Sequence, residues 1–107
     1  MVGKNQAYKT INSAIAQAQN GDTILVQKGH YKEGNINIQK SIALIGIDRP
    51  VLDGQMKYEI VSLRANKILL QGFKIINSGE DEVKNIGAVR LYDSQFSTIK
   101  NNIFMIL

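Results

Sequence analysis

A strand that recurs along the chain with a turn-forming residue at the same position constrains the fold more than any other feature. The copies read IALIG at residues 42–46, ILLQG at 68–72 and STIKN at 97–101. Gly46, Gly72 and Asn101 end the three copies. Aliphatic side chains precede the two glycines at alternate positions, and the third copy has Ser97 and Ile99 there. The copies start 26 and 29 residues apart. A repeat of this length is the signature of a solenoid, in which each repeat stacks on the one before it.

The segments between the copies predict further short strands rather than helices. After Asp22, runs of three to five apolar or β-branched residues alternate with turn formers such as Gly34, Gly54 and Asn102. A repeat made only of short strands predicts an all-β fold, a parallel β-helix built from three-strand coils. We expect a single partial β-helix domain over 1–107, with about three to four coils in 22–107 and an insertion loop at 77–87.

The recurring glycine and asparagine predict a corner of the coil. A strand that bends sharply into the next needs a left-handed residue, which Gly and Asn tolerate and β-branched residues resist. Gly46, Gly72 and Asn101 are therefore expected to form a structural column at one corner. The aliphatic residues beside them are expected to point inward as ladders: Ile42, Leu44, Ile68, Leu70 and Ile99.

The chain begins with one helix signal, which predicts a short cap helix over about 8–20. Thr10 is a suitable N-cap and Gly21 a suitable residue after the C-terminus. Such a helix would cover the first coil, whose edge strands would otherwise be free to pair with other chains. The apolar residues that recur with helical spacing are Ile11, Ala14, Ile15 and Ala18.

Composition and charge exclude several functional classes. The chain has no cysteine, so disulfides and thiolate metal sites are excluded. No run of about 18 apolar residues predicts a membrane span, and the first ten residues carry no signal peptide. The net charge is +4, but the lysines are scattered and have no aromatic platform beside them, so we expect no nucleic-acid partner.

No catalytic constellation is predicted. Glycan-cleaving enzymes need a carboxylate pair or acidic calcium ligands beside a basic residue. The acidic cluster Glu80, Asp81 and Glu82 lies in the expected insertion loop, where a solvated turn is the simpler interpretation. The isolated acids Asp48, Asp53 and Asp93 are interpreted as turn caps. We therefore expect a non-enzymatic chain, and the activity of a longer parent stays open.

Metal ligands and sugar-stacking aromatics are sparse. His30 and Met56 are weak candidates for copper(I), beside Met1 and Met105, but no multi-His or Met-x-x-Met spacing accompanies them. We interpret His30 as a surface residue of a turn and predict no metal site. Tyr31, Tyr58 and Tyr92 could stack on a glycan, although scattered tyrosines usually serve packing.

Two stretches resemble known families. The segment YKTINSAIAQAQNGDTILVQKGHYKEGNINIQKSIALIGIDRPVLDG resembles the N-terminal cap and first coils of right-handed, pectin-lyase-like β-helix proteins, often described as carbohydrate-binding and sugar-hydrolase domains. KYEIVSLRANKILLQGFKIINSG and AVRLYDSQFSTIKNNIF are similar to the NosD-like family. The resemblance covers about 8–104. Members of these families are several times longer, which implies an N-terminal piece truncated at its C-terminal end.

The resemblance implies a function that the residues alone do not. NosD-like proteins are periplasmic accessory proteins for copper-centre assembly of nitrous oxide reductase, and they work with an ABC transporter and a copper chaperone. The chain is then expected to be a periplasmic, non-catalytic scaffold with no cofactor of its own, and copper stays open for the full-length parent. The alternative is part of a glycan-binding or polysaccharide-degrading β-helix protein. An uncovered last coil also predicts an end-to-end dimer.

Overall fold

The chain folds into short parallel strands and one helix. The computed structural model describes residues 1–56, 59–77 and 88–105. In those residues α1 spans Ile11–Gln17. The strands are β1 Thr23–Val26, β2 His30–Tyr31, β3 Ile36–Ile38, β4 Ala43–Gly46, β5 Val51–Asp53, β6 Val61–Leu63, β7 Leu69–Gln71, β8 Lys74–Ile76, β9 Val89–Leu91, β10 Thr98–Lys100 and β11 Ile103–Met105.

Successive strands are distributed to three parallel sheets in rotation. The first sheet has the order β1-β4-β7-β10, the second β2-β5-β8-β11 and the third β3-β6-β9. Every strand pair in these sheets is parallel. The chain thus returns to the same sheet after every third strand. Strands this short bury their backbone groups only because each is hydrogen-bonded to its counterpart in the preceding or following repeat.

The register of the first sheet confirms the alignment expected from the sequence. Leu44 pairs with Leu70, and Leu70 pairs with Ile99. In the second and third sheets, equivalent residues of successive repeats are also aligned, and each set forms one row. They are Tyr31, Leu52, Ile75 and Phe104 in the second sheet, and Ile38, Leu63 and Leu91 in the third.

The core lies between the three sheets and is almost entirely aliphatic. Leu44, Leu52, Leu63 and Leu70 are fully buried, and within the described ranges Phe73 is the one fully buried aromatic side chain. Of the predicted inward residues, Ile42, Leu44, Ile68 and Leu70 are buried, but Ile99 is 37% exposed. Ile99 differs because it lies on β10, the last strand of its sheet among the described residues.

The helix is shorter than the 8–20 that the sequence predicts. Thr10 is the N-cap, as expected, and its hydroxyl accepts from the Ser13 N–H at 3.2 Å. The helix ends after Gln17 because Ala18 has an extended backbone, with ψ of 158°. Gly21 is therefore not the residue that terminates the helix. It has a φ of +91° in the turn before β1, and its N–H donates to the Ser41 carbonyl at 2.7 Å.

Two side chains of the first coil attach the helix to the stack. The Glu33 carboxylate accepts from the Ile11 and Asn12 N–H groups at 2.6 and 2.9 Å. The Lys40 ammonium donates to the carbonyls of Ile15, Ala16 and Ala18 at 2.8, 3.1 and 2.7 Å. These side chains satisfy free backbone groups at both helix ends, with the charge signs that the helix dipole favours.

The free edge of β1 is covered as well. The Val2 N–H donates to the Leu25 carbonyl and its carbonyl accepts from the Gln27 N–H, both at 2.8 Å. Val2 itself is fully buried. The first coil is therefore closed by α1 and by a backbone bridge, which leaves its edge strand unable to pair with another chain.

The corner residues Gly46, Gly72 and Asn101 follow one another in successive repeats, but they need different backbones. Gly72 and Asn101 are left-handed, with φ of +89° and +55°. Gly46 is not among the described glycines with positive φ, so the expectation of a left-handed residue does not hold there. Its glycine is required by space, because a Cβ would lie 2.7 Å from the Gly72 carbonyl oxygen and 2.7 Å from Pro50 Cδ.

Within the described ranges, no helix is both long enough and apolar enough to cross a bilayer.

A series of three glycine substitutions separates backbone strain from crowding. Gly21→Ala adds strain at positive φ with nothing within 4 Å of the new Cβ, and Gly46→Ala adds crowding alone. Gly72→Ala adds both, since its Cβ would lie 2.7 Å from the Gly46 carbonyl oxygen. We expect Gly72→Ala to lower the free energy of unfolding most, by at least about 2 kcal/mol, in urea titrations followed by circular dichroism. A loss no larger than that of Gly21→Ala would contradict the close packing of this corner.

Candidate functional site

His30 lies on the second sheet and is paired with a carboxylate. The sequence interpretation placed it in a turn, but it begins strand β2 and aligns with Val51 of β5. The two-residue strand was missed because it has no apolar alternation of its own. Its Nε2 lies 2.7 Å from Asp53 Oδ2, and the His30 and Asp53 side chains are 50% and 10% exposed. Asp53 thus orients the imidazole through Nε2.

Asp53 is also the centre of a turn after β5. Its Oδ1 accepts from the Gln55 N–H at 2.8 Å, and Asn77 Nδ2 lies 3.5 Å away. Burial by itself raises the pKa of Asp53, but hydrogen bonds from the Gln55 N–H, His30 and Asn77 outweigh it, so the pKa is below its ordinary value. The prediction that Asp53 caps a turn describes one of its roles, and the pairing with His30 is the other.

Met56 is the other weak copper candidate. It occupies the same turn, with φ of +62°, and its N–H donates to the Asn77 carbonyl at 2.7 Å. Its side chain is exposed. In the part of the chain that the structure describes, no group of three or more His, Cys, Asp or Glu side chains could hold a metal ion. Asp48 and Asp93, interpreted as turn residues, have φ of +59° and +52°.

The two described tyrosines considered for sugar stacking, Tyr31 and Tyr92, do not share a face. Tyr31 belongs to the second sheet, where its hydroxyl donates to the Gln27 carbonyl at 2.8 Å and its ring packs over Gly29. Burial, followed by the charge of Glu33, raises the Tyr31 pKa. Tyr92 follows β9 of the third sheet. Tyr58 and the acidic cluster Glu80, Asp81 and Glu82 lie outside the described residues.

The richest polar cluster lies on the outer face of the third sheet, and sequence reasoning missed it. Its centre is Glu59, whose side chain is 14% exposed. The Tyr92 hydroxyl donates to this carboxylate, with both oxygens at 3.0 Å. The Ser62 hydroxyl donates to Oε2, and Asn35 Nδ2 donates to the Ser62 hydroxyl at 2.8 Å. The cluster therefore joins three consecutive coils.

Two arginines border this cluster. Arg64 donates through Nε to Asn37 Oδ1 at 3.0 Å, and its guanidinium carbon lies 3.9 Å from the centroid of the Tyr92 ring. Arg90 Nε lies 3.6 Å from Glu59 Oε1, and its guanidinium carbon lies 5.8 Å from the same centroid. Cation–π contacts of this kind hold both guanidinium groups against one ring.

A sequence signal for this cluster exists. Asn37, Ser62 and Arg90 occupy the middle position of the third strand in successive repeats and align with one another. Because they alternate with the inward residues, they belong to the outer face. Aligning the third strands, rather than only the first, would have grouped these residues.

Comparison of the chain with protein-family models, with curated proteins and with solved structures gives no match.

The lowered pKa of Asp53 predicts an acid-sensitive contribution to stability. Because the folded pKa is below the unfolded value of about 3.9, the contribution is full above that pH and is lost as the pH falls through the folded pKa. We expect Asp53→Asn to lower the free energy of unfolding at pH 6, and the difference from the parent chain to shrink below about pH 4. Urea unfolding of both chains at several pH values measures this difference in the free energy of unfolding. A difference that stays constant from pH 6 to pH 2.5 would contradict the assignment.

Proposed function

We propose that the chain is a right-handed parallel β-helix that acts as a non-catalytic scaffold. The observation that carries the proposal is the return of the chain to the same sheet after every third strand, in register through three or four repeats. A stack of this kind offers long, flat and rigid faces for docking, and its core consists of aliphatic rows that perform no chemistry.

We further propose that the scaffold belongs to a NosD-like accessory protein for copper-centre assembly of nitrous oxide reductase in the periplasm. The support is the sequence resemblance over about 8–104. The implied partners are proteins, an ABC transporter and a copper chaperone. In this proposal His30 supports the second sheet through its 2.7 Å contact with Asp53 rather than binding copper. Met56 has no role in metal transfer.

Disruption of the gene in its own host tests the accessory function. We expect nitrous oxide reductase purified from the disrupted strain to contain less copper and to lose most of its activity, with both restored by the parent gene. A gene carrying His30→Ala and Met56→Leu should restore them equally, because neither residue supplies a copper ligand. Gly72→Val, which removes the corner glycine, serves as the control that should fail. A fully metallated reductase in the disrupted strain, or a host that encodes none, contradicts the proposal.

The last described coil supports the expectation of end-to-end association. Leu91, Ile99 and Phe104 continue the inward rows of the three sheets, yet they are 46%, 37% and 49% exposed. The strands that carry them, β9, β10 and β11, are each the last strand of their sheet among the described residues. An apolar end with free strand edges on three sides is the kind of surface that pairs with another coil.

Sedimentation of the 107-residue chain tests this association. We expect a dimer at micromolar concentration, and Phe104→Lys should shift it toward monomer because a charge would enter the interface. Phe96→Lys is the matched control, since Phe96 is 83% exposed and lies between β9 and β10 outside the inward rows. If both substitutions shift the dimer toward monomer equally, the association depends on exposed apolar side chains in general. It would then not depend on the uncovered face of the last described coil.

A further inference from the structure

Two exposed arginines of the third sheet point to a binding site that the scaffold does not need. Arg64 directly follows β6, and Arg90 is the middle residue of β9. Both are exposed. They lie on neighbouring strands, and both guanidinium groups rest against Tyr92, at 3.9 and 5.8 Å from its centroid.

Neighbouring side chains hold both arginines in place, and guanidinium nitrogens remain that can bind a ligand. Arg64 Nε donates to Asn37 Oδ1. Arg90 Nε lies 3.6 Å from Glu59 Oε1, and the Arg90 guanidinium also hydrogen-bonds with the Tyr92 side chain. The paired terminal nitrogens are the donors that recognise a carboxylate in a bidentate geometry. Tyr92 is itself fixed, because its hydroxyl donates to Glu59.

The charge of the described cluster favours an anion. Glu59 is its one carboxylate, and both of its oxygens already accept hydrogen bonds from within the cluster. The cluster contains two guanidinium groups and this single acid, so it carries a net positive charge. Arg64 has no acidic partner among the described contacts.

We propose that Arg64, Arg90 and Tyr92 form a binding site for an acidic peptide segment that carries two carboxylates, with one residue between them. Leu63 aligns with Leu91, so Arg64 stands beside Tyr92, whereas Arg90 is two positions earlier on the neighbouring strand. An extended peptide places the side chains of residues i and i+2 on one face, about 6.6 Å apart. A Glu-x-Glu segment therefore offers one carboxylate to each arginine.

A peptide fits this surface better than an acidic glycan does. A sugar that binds by stacking needs a free aromatic face. The Arg64 guanidinium lies 3.9 Å from the Tyr92 centroid and covers one face of the ring. Recognition at this site therefore depends on charge and hydrogen bonds. The inference is independent of the function in copper-centre assembly.

Titration of the whole chain with a short blocked peptide of alternating alanine and glutamate tests the site. Calorimetry or NMR shifts at low salt and at about 0.15 M salt would give the affinity. We expect Arg64→Gln and Arg90→Gln each to weaken binding at least fivefold, with unchanged circular dichroism. Lys100→Gln, which removes an exposed positive charge from the first sheet, should change it less than twofold. Arg64→Lys should restore part of the affinity, because it keeps the charge but not the paired donors.

Three results would overturn the proposal. Equal weakening by Lys100→Gln would show attraction to the net charge of the chain. Equal binding of the matched alanine–glutamine peptide would show that carboxylates are not recognised. Tighter binding of an oligogalacturonate than of the glutamate peptide, lost in the same two arginine variants, would show that the site takes an acidic sugar.

Discussion

In-register parallel stacking is the constraint on which the rest of this structure depends. Each strand of two to four residues is too short to be stable alone, and it is stabilised by its counterpart one repeat away. The same register places equivalent residues directly above one another. A substitution is therefore felt in two repeats at once, as at Gly46 and Gly72, where each carbonyl oxygen occupies the space that a Cβ on the other glycine would need.

Within the stack, each strand has neighbours that satisfy its backbone hydrogen bonds. At the two ends of the described stack, one side of each strand lacks such a neighbour. At the first coil, Val2 bridges β1, and α1 packs across the stack with its ends held by Glu33 and Lys40. At the last described coil the inward rows reach Ile99 and Phe104, which are partly exposed. The two ends therefore differ in chemistry: one is a closed cap, and the other retains strand edges and apolar side chains that another coil can cover.

The extent to which the sequence predicts the structure follows from how each feature is encoded. The row Leu44, Leu70 and Ile99 was predictable because apolar periodicity and corner residues recur together. Strand β2 was not, since two residues carry no period and its pairing with β5 decides its conformation. The Glu59 cluster was missed because its partners are 24 and 33 residues away, and coils of unequal length hide such contacts from a fixed repeat. The close approach at Gly46 is likewise visible only in three dimensions.

In the third sheet, the residues that stabilise the fold can be told apart from those available for binding by how much each contributes to stability. Glu59, Ser62 and Asn35 form a hydrogen-bonded network across coils, and leaving the buried Ser62 hydroxyl or the mostly buried Glu59 carboxylate unpaired would cost about 1–3 kcal/mol each. The contribution of these hydrogen bonds to folding is therefore a sufficient reason for the network. Exposed arginines are different, because a surface ion pair contributes only about 0–1 kcal/mol and ordering a long side chain opposes it. Stability therefore accounts for Glu59 at the centre but gives little reason for Arg64 and Arg90 at its border. A ligand that uses their remaining donors supplies that reason.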